Sequence, residues 1–169
     1  MQTKNLVLLA LFVGIGTVLH AVVPGIYLGM KPDFSLTMMF LGIILFPDRR
    51  YVLLLTLATG IISGLTTTFP GGFVPNIIDK FITGFAFFTI VTFIHKYKNI
   101  ISYSVFTAIG TLISGTVFLS SAFLIVGLPG PFVALFTSVV LPAVVFNVIA
   151  FVIIYPIVTQ LAKRMNFAL

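Results

Sequence analysis

The sequence has few charged side chains and contains neither cysteine nor tryptophan. Only 7% of its 169 residues are charged and 60% are hydrophobic, whereas a soluble domain carries about 25% charged residues. Such a chain cannot cover itself with a polar surface, which excludes an ordinary soluble protein and indicates lipid as the solvent. Without cysteine there is no disulfide and no thiolate metal site. Without tryptophan, tyrosine must form the aromatic belt at the membrane interface.

The apolar residues fall into six runs separated by short polar, proline or glycine breaks. A helix needs about 20 apolar residues to cross the hydrocarbon core of a bilayer. This measure predicts spans at 6–23, 34–46, 51–69, 75–94, 102–126 and 131–161. Because open strands cannot satisfy their hydrogen bonds in lipid, the sequence predicts an all-α integral membrane protein. We expect one transmembrane domain, a six-helix bundle over residues 1–169.

The basic residues predict which way this bundle faces. Seven of the nine lysine and arginine residues fall on one side of a six-span arrangement, namely Lys4, Arg49, Arg50, Lys96, Lys98, Lys163 and Arg164. Because such an excess marks the cytoplasmic side, we expect both termini in the cytoplasm. The net charge of +6 is then a consequence of membrane topology and does not indicate a nucleic-acid partner.

Four charged residues lie on the other side, where topology does not require them: Lys31, Asp33, Asp79 and Lys80. A charge at membrane depth costs about 3 kcal/mol or more, so it usually faces a cavity or a partner. The helix that begins near Pro75 carries polar and small residues at the spacing of one helix face: Asn76, Asp79, Lys80, Thr83 and Gly84. The spacing predicts a stripe that faces the interior of the bundle.

A carboxylate, an ammonium and an amide in one pocket suit a zwitterionic substrate. Asp79 would take the substrate ammonium and Lys80 its carboxylate, within a lining supplied by the 19 phenylalanines. Lys31 and Asp33 lie in a connection able to fold over this pocket. Asn147, alone near the middle of the last span, should bond to a ligand or to another helix. The alternative is that the charged pairs are ordinary interfacial or loop residues and that the amide is structural.

Small residues four positions apart form notches on three of the predicted helices. These pairs are Ala10 with Gly14, Gly60 with Gly64, and Gly110 with Ser114. Such notches let helices approach closely, and most must serve packing within the bundle. The notch at Ala10 and Gly14, on the cytoplasmic half of an outer span, is a candidate surface for docking another membrane subunit.

The chain carries no motif for catalysis. No glycine-rich phosphate loop is present, so this chain is not expected to hydrolyse ATP itself. Its two histidines are far apart in the sequence, which supports no metal site. We therefore predict a protein that is not an enzyme and that holds no cofactor of its own.

Several stretches resemble one known family. They are His20-Ala-Val-Val-Pro, Gly29-Met-Lys-Pro-Asp-Phe, Met38-Met-Phe-Leu-Gly-Ile, Gly60-Ile-Ile-Ser-Gly-Leu-Thr-Thr and Pro75-Asn-Ile-Ile-Asp-Lys. With six helices and an outer polar cluster, they resemble the tryptophan-transporter family among the substrate-binding (S) components of energy-coupling factor transporters. The likeness covers roughly the first 90 residues, and the second half is similar only in hydropathy and length.

The resemblance implies a substrate-binding subunit in the bacterial cell membrane. Such a component captures tryptophan in an outward-facing pocket and docks on a transmembrane coupling subunit driven by two ATPase subunits. It also implies that an Ala-xxx-Ala-like motif on the first helix contacts the coupling subunit. Here that motif corresponds to Ala10 and Gly14, where glycine replaces the second alanine.

Two other functions fit the same hydropathy. One is a self-sufficient proton-coupled amino-acid permease, for which Asp79 is the only plausible proton carrier within the membrane. The adjacent Lys80 would keep that carboxylate ionised, which disfavours this function. The other is a small non-transporting assembly or regulatory protein whose charged pairs are structural.

Overall fold

The computed structural model describes residues 2–22, 33–93 and 99–164, and all regular secondary structure in these ranges is helical. The helices are α1 (Thr3–Val22), α2 (Phe34–Leu45), α3 (Arg49–Leu65), α4 (Phe73–Phe93), α5 (Ile100–Ile125) and α6 (Phe132–Arg164). The prediction of an all-helical chain is confirmed for this part of the protein. Four of the helices, α1, α4, α5 and α6, are long and apolar enough to cross a membrane.

Side chains with an acceptor oxygen begin three of the helices. Asp33 accepts a hydrogen bond from the backbone N–H of Leu36 at the start of α2, Asp48 caps α3, and Asn99 caps α5. These caps satisfy backbone donors that have no partner inside a helix. The fourth helix starts two residues earlier than expected, so Pro75 lies inside its first turn, where its missing N–H is tolerated.

The bundle buries many polar side chains together with its hydrophobic core and exposes large apolar side chains, unlike a soluble protein. The buried polar residues include Thr37, Thr56, Thr59, Ser63, Thr83 and Thr107. The exposed ones include Val7, Leu11, Val18, Phe93, Ile101 and Leu124. An apolar exterior of this extent is stable against lipid tails and would be a severe liability in water. The composition and the packing therefore both indicate that lipid surrounds the bundle.

Helix α2 is the centre of the bundle. Residues 35–43 are all buried, and the helix packs against α1, α3, α4, α5 and α6. Its 12 residues give a length of about 18 Å, shorter than the roughly 30 Å of the hydrocarbon core. A helix that is apolar on every side can face either lipid or protein, and here the other helices surround it.

Glycines bring the third and fourth helices into close contact. A Cβ atom built on Gly60 would lie 3.0 Å from the Cα of Ile77, and one on Gly84 would lie 2.1 Å from the Cγ2 of Thr56. Gly64 is equally tight against Phe73. The small-residue pair on α3 therefore serves packing within the bundle, as expected for most such pairs. This contact between α3 and α4 fixes the orientation of the polar face of α4 relative to the neighbouring helices.

The last helix contains a wider turn near its start. Residues Phe136–Val140 form a π-helical turn, followed closely by Pro142, which has no N–H to bond to the carbonyl of Ser138. Such turns occur mostly as single insertions and frequently near functional sites. This one adjusts the rotation of the helix ahead of Ala143 and Asn147, which are buried residues facing α5.

Candidate functional site

The bundle encloses a cavity between the end of α1, the start of α2, and helices α4, α5 and α6. It comprises about 680 Å³ of space not filled by protein, a volume that includes its open mouth. Its apolar wall includes Leu36, Phe69, Phe118, Leu119, Val140 and Ala143. The rings of Phe69 and Phe118 meet edge to face, with centroids 5.5 Å apart and planes at 78°. The cavity therefore offers an aromatic wall beside its polar groups.

A buried lysine shared by two carboxylates is the main polar feature of the cavity. The Nζ of Lys80 lies 2.6 Å from Oδ2 of Asp33 and also forms an ion pair with Oδ2 of Asp79. Lys80 and Asp79 are each only 1% exposed. This burial excludes the alternative in which the two residues neutralise each other at the interface and extend outward. The predicted stripe on α4 does face the interior.

Both oxygens of the Asp79 carboxylate are bonded to donors of the protein. Oδ1 accepts a hydrogen bond from the hydroxyl of Thr83 at 2.9 Å, and Oδ2 accepts one from the hydroxyl of Ser114 at 2.9 Å as well as the Lys80 contact. Ser114 lies on α5, so Asp79 joins two helices. The expected role of this residue, direct capture of a substrate ammonium, is not favoured by the geometry. Its position suits holding Lys80 in place.

Asp33 is the more accessible of the two carboxylates. Its side chain is 18% exposed and lies 3.4 Å from the Nδ1 of His20, while its Oδ1 caps α2. Burial raises the pKa of Asp33, but the charges of Lys80 and His20 and the hydrogen bonds to Lys80 and Leu36 outweigh it and lower the pKa to about 2. Asp33 is therefore ionised at neutral pH and is open to a cationic group of a ligand.

The ion pairs of this cluster leave room for a ligand. The carboxylate of Asp33 is partly exposed beside the cavity, so it can accept a hydrogen bond from a cationic group of a ligand. The ammonium of Lys80 has three N–H donors, of which the two carboxylates take two. The third N–H finds no acceptor in the part of the chain that the structure describes.

Two buried amides also line the cavity. Asn76 donates from Nδ2 to the backbone carbonyl of Gly72 at 2.7 Å, which closes the turn that precedes α4. Asn147 donates from Nδ2 to the hydroxyl of Thr111 on α5 at 3.3 Å. The expected hydrogen bond between Asn147 and a neighbouring helix is therefore present, and the amide still borders the cavity.

The remaining predicted residues lie elsewhere. Lys31 falls within residues 23–32, which are outside the described ranges. Ala10 and Gly14 are exposed on the outer face of α1, and a Cβ built on Gly14 would meet no atom within 4 Å. This notch is open on the surface of the bundle and takes no part in the cavity.

His20 and the polar face of α5 were not among the site residues predicted from the sequence. Thr107, Thr111 and Ser114 are all buried, and they follow the i, i+4, i+7 spacing that identified the stripe on α4. The same test applied to α5 would have found them. No spacing could have found His20, because its partner Asp33 approaches only when α1 and α2 pack together.

Comparison with known proteins identifies relatives over nearly the whole chain. The sequence model of a family described as "Tryptophan transporter TrpP" matches residues 2–163. A probable tryptophan transport protein of Bacillus subtilis is 54% identical over 167 residues, covering 99% of this chain and 97% of the relative. Its counterpart in Clostridium acetobutylicum is 44% identical, covering 92% and 91% of the two chains. That of Clostridium perfringens is 37% identical, covering 96% and 95%. No solved structure shows a significant match.

Proposed function

The chain belongs to the tryptophan transporter TrpP family, and from this premise we propose that it is the substrate-binding membrane subunit of a tryptophan importer. The observation that carries the proposal is the buried group of Asp33, Lys80 and Asp79 beside an aromatic wall in one cavity. A free amino acid with a large aromatic side chain needs both of these features. A related amphoteric molecule would fit the same groups.

Each part of the ligand has a counterpart in the cavity. The ammonium group would bind next to Asp33, whose carboxylate is partly exposed beside the cavity. The carboxylate would accept the third N–H of Lys80, as a charge-assisted hydrogen bond. The indole ring would pack against Phe69 and Phe118, since aromatic rings favour edge-to-face contacts.

The surface of α1 supports a partner within the membrane. Ala10 and Gly14 form an open notch, and such notches allow close approach of another helix. We propose that a transmembrane coupling subunit docks there and that two ATPase subunits drive the import, as in energy-coupling factor transporters. In this arrangement the six helices form one transmembrane bundle in the bacterial plasma membrane, both termini lie in the cytoplasm, and the cavity opens outward.

Titration of the purified protein tests the binding function. L-tryptophan should bind with one-to-one stoichiometry in calorimetry. Tryptamine, which lacks the carboxylate, and indole-3-propionate, which lacks the ammonium, should each bind at least about tenfold more weakly, the equivalent of one lost polar contact. A folded protein that binds none of the three would contradict the proposal.

A further inference from the structure

The side chain of Asn147 has one oxygen atom whose hydrogen-bonding capacity is unused. Asn147 is fully buried near the middle of α6, and its Nδ2 donates to the hydroxyl oxygen of Thr111. Its Oδ1 has no hydrogen-bond partner among the described residues. A buried polar atom without a partner is rare in native structures and calls for an explanation.

The orientation of this amide follows from the hydrogen bonds of Thr111. The hydroxyl of Thr111 has one proton, and it donates that proton to the backbone carbonyl of Thr107 at 2.8 Å. Toward Asn147 the hydroxyl can therefore only accept, so the neighbouring amide atom must be the nitrogen. This leaves Oδ1 as the atom of the amide that is available to another group. Because Asn147 lines the cavity, that group can be a ligand.

The surroundings of Asn147 indicate which part of a ligand it meets. Val140 and Ala143, which precede it on α6, and Gly115 on α5 all contribute apolar surface to the same cavity. The charged groups Asp33 and Lys80 already provide for a ligand's ammonium and carboxylate. Thr111 lies one turn from Ser114, the partner of Asp79. This places the amide about 4.5 Å along α5 from the ionic cluster, a separation that a tryptophan side chain spans.

We propose that Oδ1 of Asn147 accepts a hydrogen bond from the indole N–H of the ligand, and thereby selects indole over aromatic rings that lack a donor. This rests on the proposed function, since it assigns one contact within that binding site. Thr111 acts as a positioning residue that keeps the amide oxygen toward the ligand. A site with a buried hydrogen-bond acceptor discriminates strongly against analogues that lack the matching donor. This discrimination is much stronger than what an apolar pocket achieves by shape.

The test compares L-tryptophan with β-(3-benzothienyl)-L-alanine, in which sulfur replaces the N–H in a ring of nearly the same size. The wild-type protein should bind tryptophan at least about tenfold more tightly, because the analogue leaves the amide oxygen without a donor. The Asn147→Leu variant should bind the two ligands with nearly equal affinity. Thr111→Val, which lets the amide turn over, should reduce the preference.

Asp33→Asn is the matched control, since it alters the ionic end of the same cavity. It should weaken both ligands by a similar factor and keep their ratio. Equal affinity of the wild-type protein for the two ligands would overturn this inference while leaving the proposed function intact. An unchanged ratio in Asn147→Leu would also overturn it. Failure of the folded wild-type protein to bind either ligand would contradict the proposed function itself.

Discussion

Asp33 and Lys80 form an ion pair of 2.6 Å that joins the start of α2 to the middle of the polar face of α4. The same carboxylate caps α2, so the orientation of the central helix and the position of the buried ammonium depend on one side chain. Asp79 supports Lys80 from the other side. Variants of these side chains can separate a role in ligand binding from a role in holding the fold.

Replacement of Asp33 by asparagine should weaken tryptophan binding by about 10- to 100-fold, the range for a lost charge-assisted contact. Asparagine is as good a helix cap as aspartate, and Lys80 keeps Asp79 as a partner, so the variant should stay folded, with an unfolding temperature lowered only by the loss of the Asp33 charge. Calorimetric titration and a thermal scan measure both effects. Asp48→Asn is the matched control, because Asp48 caps α3 in the same way on the exposed surface. Equal losses in both variants would argue against a role for Asp33 in binding.

Replacement of Lys80 by methionine should destabilise the fold. It leaves Asp33 and Asp79 buried without their shared cation, and breaking a buried ion pair costs about 3–5 kcal/mol. Adding Asp79→Asn to this variant removes one of the two unpaired buried charges and should recover part of the lost stability. Neither the single nor the double variant should bind tryptophan. Binding by the stable double variant would show that Lys80 has only a structural role.

Two glycines on α1 should respond differently to a bulky replacement. Gly14→Leu should leave stability and ligand binding unchanged, because its Cβ direction is open, but it should prevent co-purification with a coupling subunit. Gly16→Leu should lower the unfolding temperature, because a Cβ there lies 3.0 Å from the Cα of Ser35 and 3.2 Å from the Cβ of Met38. Normal co-purification of Gly14→Leu would place the docking surface elsewhere.

The stability contributed by the charge on Asp33 should disappear only in strong acid. Its pKa falls from 3.8 to about 2 in the folded protein, so the ionised form is favoured by folding. This contribution is complete above the unfolded pKa and is lost as the pH falls through about 2. The unfolding temperatures of the wild-type protein and Asp33→Asn should therefore differ by a constant amount above about pH 5. They should converge toward pH 2, and a difference already lost at pH 5 would contradict this pKa shift.

The part of the site that lies on one helix could be predicted from sequence, whereas its contacts between helices could not. Helical spacing identified Asn76, Asp79 and Lys80 as one interior face, because that geometry is local. The structure also brings Lys80 to Asp33, a contact that was not predicted from the sequence. That pairing depends on how α2 packs against α4, which no local pattern encodes.

The direction in which a small-residue notch faces is likewise not determined by local helical spacing. The pair Gly60 and Gly64 packs tightly against α4, whereas Ala10 and Gly14 remain open on the bundle surface. Both pairs have the same spacing, so the spacing itself does not distinguish an internal contact from an external one. The difference depends on which helices surround each pair.

The aromatic wall of the cavity is made of phenylalanine, and the chain as a whole contains no tryptophan. Translation of this sequence therefore needs no charged tryptophan tRNA. Under the proposed function, a bacterium starved of that amino acid would still be able to synthesise these binding residues at the moment when uptake is most needed.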